Sequence, residues 1–178
     1  ELLDNTWVIY TSDHGEMGGN HGLMSKCVMY QQAVRVPLIM RPPAGCPAKV
    51  VDCLVEHVDV PATVRDIAAA PPVPDGEGHS LLADFSGEAP SPRQVVVSEN
   101  WGFAAFETDR YKLVVDEDAL SPCQLFDLVE DPSEDHNLVA DPESKAVVAQ
   151  LMNDYVRPFF RTPPARPHPS LFTGQLEG

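Results

Sequence analysis

A short apolar run that ends in a polar loop is the feature that most constrains how this chain folds. Residues 7–10, Trp-Val-Ile-Tyr, have the β-branched and aromatic character of a buried strand. They lead into Thr-Ser-Asp-His-Gly-Glu at residues 11–16, so Asp13 and His14 lie where a strand ends and a loop begins. Adjacent strand side chains point to opposite faces, so these two share one ion only if the chain turns, and Gly15 permits that turn. Because ligands bind at strand ends in open α/β sheets, the sequence predicts an α/β fold with a functional loop here.

A proline-rich stretch at residues 70–76 divides the chain, because Ala-Pro-Pro-Val-Pro-Asp-Gly suits the interior of neither a helix nor a strand. The patterns before it predict, in chain order, a strand at 6–11, helical turns near 25–33, a strand at 36–41 and a helix at about 60–69. The patterns after it predict four short antiparallel strands, at 94–99, 102–108, 111–115 and 124–128.

A C-terminal helix is predicted at about 142–160. Asp141 as N-cap and Pro142 as the first helical residue mark its start. Apolar residues recur at helical spacing at Ala146, Val147, Leu151, Tyr155, Val156 and Phe159. The predicted organisation is the end of an α/β domain at 1–70, a linker and loop at 71–93, an antiparallel sheet with its helix at 94–161, and an extended Pro-rich tail at 162–178.

The composition excludes some classes of partner. Lys and Arg number 12 against 27 Asp and Glu, a formal charge of −15, whereas binding to nucleic acid requires a basic face. No apolar run approaches the roughly 20 residues of a membrane span, and nothing in the sequence assigns a compartment. The four Cys form no C-x-x-C pair, so we expect free thiols, with a Cys46–Cys53 disulfide as the alternative.

Several separate motifs resemble those of one family. The loop contains Asp-His-Gly at 13–15, Gly-Asn-His-Gly at 19–22 and Lys26, and Arg-Val-Pro-Leu-Ile follows at 35–39. Further motifs are Tyr30, Asp-Val-Pro-Ala-Thr at 59–63, Gly-His-Ser-Leu at 78–81, Asp-Arg-Tyr-Lys-Leu at 109–113, Leu-Phe-Asp-Leu at 125–128, Asp131-Pro132, Glu134 and Asn137-Leu138. Together they resemble the sulfatase branch of the alkaline phosphatase superfamily. The resemblance implies the C-terminal portion of an alkaline-phosphatase-like α/β sheet plus a small four-stranded antiparallel sheet packed by a C-terminal helix.

The nucleophile that the resemblance implies is absent from this sequence. The family converts a Cys or Ser within Cys/Ser-x-Pro-x-Arg to formylglycine, well before the Asp-His loop, and an acidic pair completes the metal site. The nearest match, Cys-Pro-Ala-Lys at 46–49, has its Pro in the wrong place and lacks the Arg. We therefore expect these residues to form the C-terminal part of a larger enzyme, with formylglycine upstream and the N-terminal part of that enzyme as partner.

The resemblance implies that Asp13 and His14 bind a divalent metal and that Lys26 is catalytic. It implies calcium as the ion, with manganese or another transition metal as the alternative that imidazole favours. The spacing of Lys26 from Asp13 matches that of a lysine which touches sulfuryl or phosphoryl oxygens and stabilises their developing charge. The alternatives are a capping or turn role for Asp13 and His14, and a solvated surface position for Lys26.

Other polar residues have two interpretations each. His21 either shapes the loop or contacts substrate, and Glu16 is either a solvated carboxylate or an acceptor that orients His14. Arg35 is either a buried ion-pair residue or an anion clamp. Asn100 and Trp101, near a strand end, are candidates for a substrate-facing loop. The remaining histidines show no ligand spacing and are assigned structural roles: His57, His79, His136 and His168.

The function implied by the resemblance is hydrolysis of a sulfate monoester, an anionic ester, by attack of a hydrated formylglycine that this chain lacks. The isolated chain is therefore expected to be inactive. One alternative is a phosphonate monoester or phosphodiester hydrolase, since the same loop serves both chemistries in the superfamily. An alternative of another class is a non-catalytic sulfatase-like interaction module. Open edges on the strand at 6–11 also predict self-association, so a homo-oligomer is a possible state.

Overall fold

The computed structural model describes residues 2–43, 48–74, 76–86 and 93–161, with the side chains of 85 and 86 excepted. The tail predicted at 162–178 and Cys46 of the alternative disulfide lie outside the described residues. The described part of the chain has a short two-stranded sheet towards its N-terminal end and a four-stranded sheet towards its C-terminal end.

The N-terminal sheet pairs β1, Val8–Thr11, with β2, Leu38–Arg41. The strands are antiparallel, with Thr11 opposite Leu38 at one end and Val8 opposite Arg41 at the other. Both predicted strands are present but start later than expected. Because Thr11 and Leu38 are paired, the long loop between them leaves and returns at one end of the sheet. This pairing closes the base of the loop that carries the candidate site.

The helical turns predicted near 25–33 are wrong in position. The structure has one 3₁₀ turn, Asn20–Gly22, and one α turn, α1, at Gln31–Val34. The intervening chain is not helical, because Ser25 has a φ of 73° in the left-handed region. Left-handed conformations also recur just before it, at Gly18, Gly19, His21 and Gly22.

Helix α2, Asp59–Ile67, lies where a helix was predicted, and a short helix, α3, follows at Leu82–Ser86. The motif residues Asp59 and Thr63 are fully buried. Thr63 Oγ1 donates to the carbonyl of Asp59 at 2.7 Å and accepts from the amide of Leu81 at 2.9 Å. A Cβ added to Gly78 would lie 1.9 Å from the carbonyl oxygen of Val58. Two of the recognised motifs are therefore structural, because they join α2 to residues 78–81.

Four antiparallel strands in sequential order make the C-terminal sheet: β3, Val96–Asn100; β4, Phe103–Glu107; β5, Tyr111–Asp116; and β6, Ser121–Asp127. The prediction of this sheet is confirmed. Strand β6 begins earlier than the predicted residue 124, because Pro122 is tolerated on an edge strand.

The C-terminal helix covers one face of this sheet, as predicted. It starts with a 3₁₀ turn capped by Asp141, whose carboxylate accepts from the amide of Glu143 at 2.9 Å. The helix continues as α4, Lys145–Leu151, then a π-helical stretch, Met152–Val156, then α5, Arg157–Arg161. The core between sheet and helix consists of Ala104, Phe106, Leu113, Val115, Leu125, Leu151, Met152 and Val156. Each large buried apolar side chain contributes about 1.5–3 kcal/mol.

The other face of the sheet packs on the loop before α1. Met29, Ala105 and Val114 are buried together there, and Val34 packs against them. Lys112, on the same face of β5 as Val114, is also fully buried. The C-terminal sheet is thus covered on both faces, and its second face supports the segment that follows Lys26.

Candidate metal and anion site

Asp13 and His14 lie just beyond the end of β1 and point their polar atoms at each other. His14 Nε2 is 3.4 Å from Asp13 Oδ2, and both side chains are accessible, at 40% and 84% exposure. His14 Nδ1 is 2.8 Å from the carbonyl oxygen of Gly15. Because a carbonyl only accepts, Nδ1 carries the proton and Nε2 keeps its lone pair.

Two acceptors therefore face each other, an arrangement that a cation between them would stabilise. Metal–nitrogen and metal–oxygen bonds are about 2.0–2.4 Å long, so ligands to one ion lie about 3 Å apart. The Asp13–His14 separation of 3.4 Å is close to that value. The donor set consequently fits a divalent ion.

The surroundings of Asp13 favour the ionised form of its carboxylate. The backbone amide of His14 donates to Asp13 Oδ1 at 3.0 Å. This hydrogen bond is the main cause that lowers the pKa of Asp13 below its ordinary value. An anionic ligand is therefore present throughout the neutral pH range.

Gly15 allows the loop to pack closely on α1. Its amide donates to the carbonyl of Ala33 at 2.8 Å. A Cβ at Gly15 would lie 1.9 Å from the carbonyl oxygen of Gln32, which no side chain tolerates. Its φ is not among the positive values of the chain, so its main role is this close approach rather than the turn expected from the sequence.

Glu16 holds the loop together through backbone amides, and its role as an acceptor that orients His14 stays a prediction. Its Oε1 accepts from the amides of Ser25, at 2.5 Å, and Gly18, at 3.4 Å. Met17 is fully buried, and its backbone amide donates to the carbonyl of Ser25 at 2.9 Å. Residues 16–25 therefore form a closed subloop that leads to Lys26.

The imidazole of His21 packs against an aromatic ring. It stacks on Tyr30 with ring centroids 4.0 Å apart, and its Nδ1 is 4.0 Å from Asp135 Oδ1. Its side chain is only 15% exposed, and its φ of 52° is left-handed. These contacts are those of a residue that shapes the loop, and substrate contact by His21 stays a prediction.

Lys26 is exposed and lines the same open groove as Asp13 and His14. Arg35 also lines this groove and is exposed, so the interpretation of Arg35 as a buried ion-pair residue is wrong. Trp101, at a two-residue turn after β3, adds an 82% exposed indole to the wall. Arg41, Lys49 and Arg93 also line this long groove, so Lys26 and Arg35 are two of the five Lys and Arg residues along it.

Sequence reasoning missed His57. Its Nε2 lies 2.7 Å from the carbonyl oxygen of Ser12, the residue between β1 and Asp13. The only signal in the sequence was its position two residues before Asp59 of the motif at 59–63, since Ser12 is distant in sequence. The backbone amides of His79 and His136 both donate to carboxylates, and the structural roles assigned to these residues stay predictions. The amide of His79 donates to Asp59 at 2.8 Å, and that of His136 to Asp131 at 2.8 Å.

Within the described parts of the chain, no three His, Cys, Asp or Glu residues are grouped closely enough to hold a metal. The Asp13–His14 pair alone therefore supplies fewer side chains than a divalent ion usually binds. Cys27, Cys53 and Cys123 are free thiols, and burial raises the pKa of Cys53. Among the described helices, none is long and apolar enough to cross a membrane.

Residues 19–157 match the family model described as N-sulphoglucosamine sulphohydrolase, C-terminal. The chain is 38% identical over 154 residues to the uncharacterized sulfatase YidJ of Escherichia coli K12, covering 79% of this chain and 29% of that protein. It is 35% identical over 171 residues to arylsulfatase K of Mus musculus, covering 88% of this chain and 31% of that protein.

The fold is shared with a solved structure, phosphonate monoester hydrolase SpPMH from Silicibacter pomeroyi. The TM-score is 0.79 at 30% sequence identity, over 91% of this chain and 36% of that one. The chain therefore spans about a third of the length of these similar proteins.

Proposed function

Since this chain belongs to the family of N-sulphoglucosamine sulphohydrolase C-terminal segments, we propose that it is the C-terminal part of a metal-dependent sulfatase that hydrolyses sulfate monoesters. The observation that carries the proposal is the facing pair of Asp13 Oδ2 and His14 Nε2, 3.4 Å apart, in a groove also lined by Lys26. The Asp13–His14 pair offers a cation site where a strand ends, and Lys26 adds a positive charge to the same groove.

Asp13 and His14 would hold the ion, calcium in the first instance and manganese or another transition metal as the alternative. A bound divalent ion polarises an ester oxygen and supports the nucleophile. Asp13 supplies a hard anionic oxygen, and the lone pair on His14 Nε2 completes this half of the site. The hydrogen bond from His14 Nδ1 to the carbonyl of Gly15 fixes the ring in that tautomer.

Lys26 would bind the anionic oxygens of the transferred group and stabilise the charge that develops on them. The chain as a whole is strongly acidic, with a formal charge of −15, so its overall field repels an anionic ester. Attraction of the substrate consequently depends on the local charges in the groove: the metal, Lys26 and Arg35.

The nucleophile and the acidic ligands would come from the N-terminal part of the same enzyme. The chain corresponds to 29% of YidJ and 31% of arylsulfatase K, so most of such an enzyme lies outside it. Formylglycine is expected in that part. The 178-residue chain alone would therefore contribute ligands and charge without turnover.

Phosphonate monoester hydrolysis is the second candidate, favoured by the 30% identity to the S. pomeroyi enzyme over 91% of this chain. Both substrate classes present anionic oxygens to a metal and a lysine, so Asp13, His14 and Lys26 serve either. Assays of the full-length enzyme with a matched aryl sulfate and aryl phosphonate monoester separate the two by kcat/KM.

The proposal is tested in the full-length enzyme with Asp13→Ala and His14→Ala. We expect both variants to lose bound metal and turnover together, because each removes a metal ligand. Metal content is measured by atomic emission, and turnover with an aryl sulfate. His136→Ala is the matched control, because its side chain is 80% exposed and outside the groove lining. Full metal content and turnover in both ligand variants would contradict the proposal.

A further inference from the structure

The imidazole of His57 contacts the backbone that carries the metal-ligand pair. Its Nε2 is 2.7 Å from the carbonyl oxygen of Ser12, across 45 positions of sequence. A carbonyl only accepts, so Nε2–H of His57 donates this bond. The contact fixes the peptide between Ser12 and Asp13, where the chain leaves β1.

The residues on either side of His57 are held in place by hydrogen bonds and ion pairs. The preceding residue, Glu56, accepts from the amide of Val97 and forms an ion pair with Arg93. Two residues later Asp59, only 1% exposed, accepts from the amide of Glu56 at 2.8 Å and from Arg93 at 2.6 Å. The chain on both sides of His57 is thus anchored by part-buried hydrogen bonds to carboxylates.

The peptide that His57 holds is also tied to both ligands. Ser12 Oγ donates to the carbonyl of His14 at 2.9 Å and lies 3.4 Å from Asp13 Oδ1. The backbone amide of His14 donates a further hydrogen bond to Asp13 Oδ1 at 3.0 Å. Rotation of the Ser12 carbonyl away from His57 would therefore move the Cα of Asp13 and the ring of His14 together.

We propose that His57 is a positioning residue for the Asp13–His14 half-site, acting through the Ser12 carbonyl. This inference rests on the proposed function, because it assigns His57 to the metal site of that enzyme. His57 binds neither metal nor substrate in this role. Its hydrogen bond keeps Asp13 Oδ2 and His14 Nε2 at the separation that one ion requires.

The first test measures the loop without metal. Backbone amide exchange of residues 13–15 is compared in the metal-free full-length protein for wild type, His57→Ala, His57→Gln and His136→Ala. We expect faster exchange of Gly15, whose amide donates to Ala33, in His57→Ala only. The side-chain amide of Gln at position 57 can donate to the carbonyl of Ser12, so His57→Gln should restore the protection of Gly15 from exchange. Equal exchange in all four proteins would overturn the inference.

The second test measures metal affinity by competition with a chromophoric chelator, using Mn²⁺ and Ca²⁺. Loss of a residue that orients a ligand typically weakens metal binding about 10- to 100-fold. We expect a loss in that range for His57→Ala, partial recovery in His57→Gln and no change in His136→Ala. A wild type that binds neither ion contradicts the proposed function. A wild type that binds metal, together with unchanged affinity in His57→Ala, contradicts the inference alone.

Discussion

The ammonium group of Lys112 and the carboxylate of Glu134 form an ion pair in which both side chains are completely buried. Burial lowers the pKa of Lys112, and the charge of Glu134 opposes that shift. The second oxygen of Glu134 accepts from the amide of Gln31 at 2.6 Å, the first residue of α1. The pair thereby connects β5 of the C-terminal sheet to α1, to which the amide of Gly15 is also hydrogen-bonded.

Glu134→Ala should destabilise the protein by about 3–5 kcal/mol, because it leaves the Lys112 charge buried without a partner. Urea unfolding followed by circular dichroism measures the change. Glu130→Ala, an exposed carboxylate in the same loop, is the matched control and should stay within about 0.5 kcal/mol of wild type. Equal stability of the two variants would show that Lys112 finds another partner.

The acid stability of the protein should depend on Asp127. Arg110 donates to its carboxylate at 2.7 Å and 3.0 Å, and this bond is the main cause that lowers the pKa of Asp127. The unfolded chain therefore binds more protons here, so the stabilisation is present above the ordinary pKa of 3.8 and is lost as the pH falls through the folded value.

Asp127→Asn should remove this part of the acid dependence of the unfolding free energy. The effect is at most about 1 kcal/mol, because Arg110 is 53% exposed and solvent screens the pair. Urea midpoints between pH 7 and pH 2 measure it, with Asp118→Asn, an exposed residue, as control. If the unfolding free energy of Asp127→Asn depended on pH as the wild type does, the role of Asp127 in acid stability would be contradicted.

Lys26→Ala should separate metal binding from turnover in the full-length enzyme. The variant should keep its metal, because Lys26 is not a ligand, but lose roughly 10²-fold in kcat, as expected when one charge-stabilising donor is removed. Metal analysis and steady-state kinetics measure the two quantities. Lys145→Ala, at an exposed helix start, controls for loss of one positive charge. Near-normal kcat in the Lys26 variant would make this lysine a solvated surface residue.

Short-range patterns predicted the C-terminal half of the fold well. The strands of its sheet alternate with tight turns, and the helix has both a cap at Asp141 and an apolar stripe, so local signals agree with the final packing. Where backbone conformation depends on left-handed residues, the patterns failed. Ser25, with a left-handed φ of 73°, lies at the start of the helical turns predicted near 25–33 and is not helical.

The proximity of Asp13 and His14 was predictable from the sequence, but the distant contacts that support this loop were not. Adjacent Asp13 and His14 form a local motif, whereas the contact of His57 with Ser12 joins residues 45 positions apart and has no periodicity. Gly15 shows the same limit. The sequence indicated a glycine that frees the backbone, but the structure requires it because Gln32 approaches from a distant turn.

The isolated 178-residue chain should be catalytically silent. Its described residues bring Asp13 and His14 together but no third ligand, and the sequence contains no Cys/Ser-x-Pro-x-Arg segment for a nucleophile. The purified chain is assayed with an aryl sulfate and an aryl phosphonate at saturating Mn²⁺ or Ca²⁺. Asp13→Ala, prepared identically, identifies turnover from a contaminant. Turnover that is present in the chain and absent in Asp13→Ala would mean that these residues suffice for hydrolysis, and the requirement for an upstream nucleophile would be wrong.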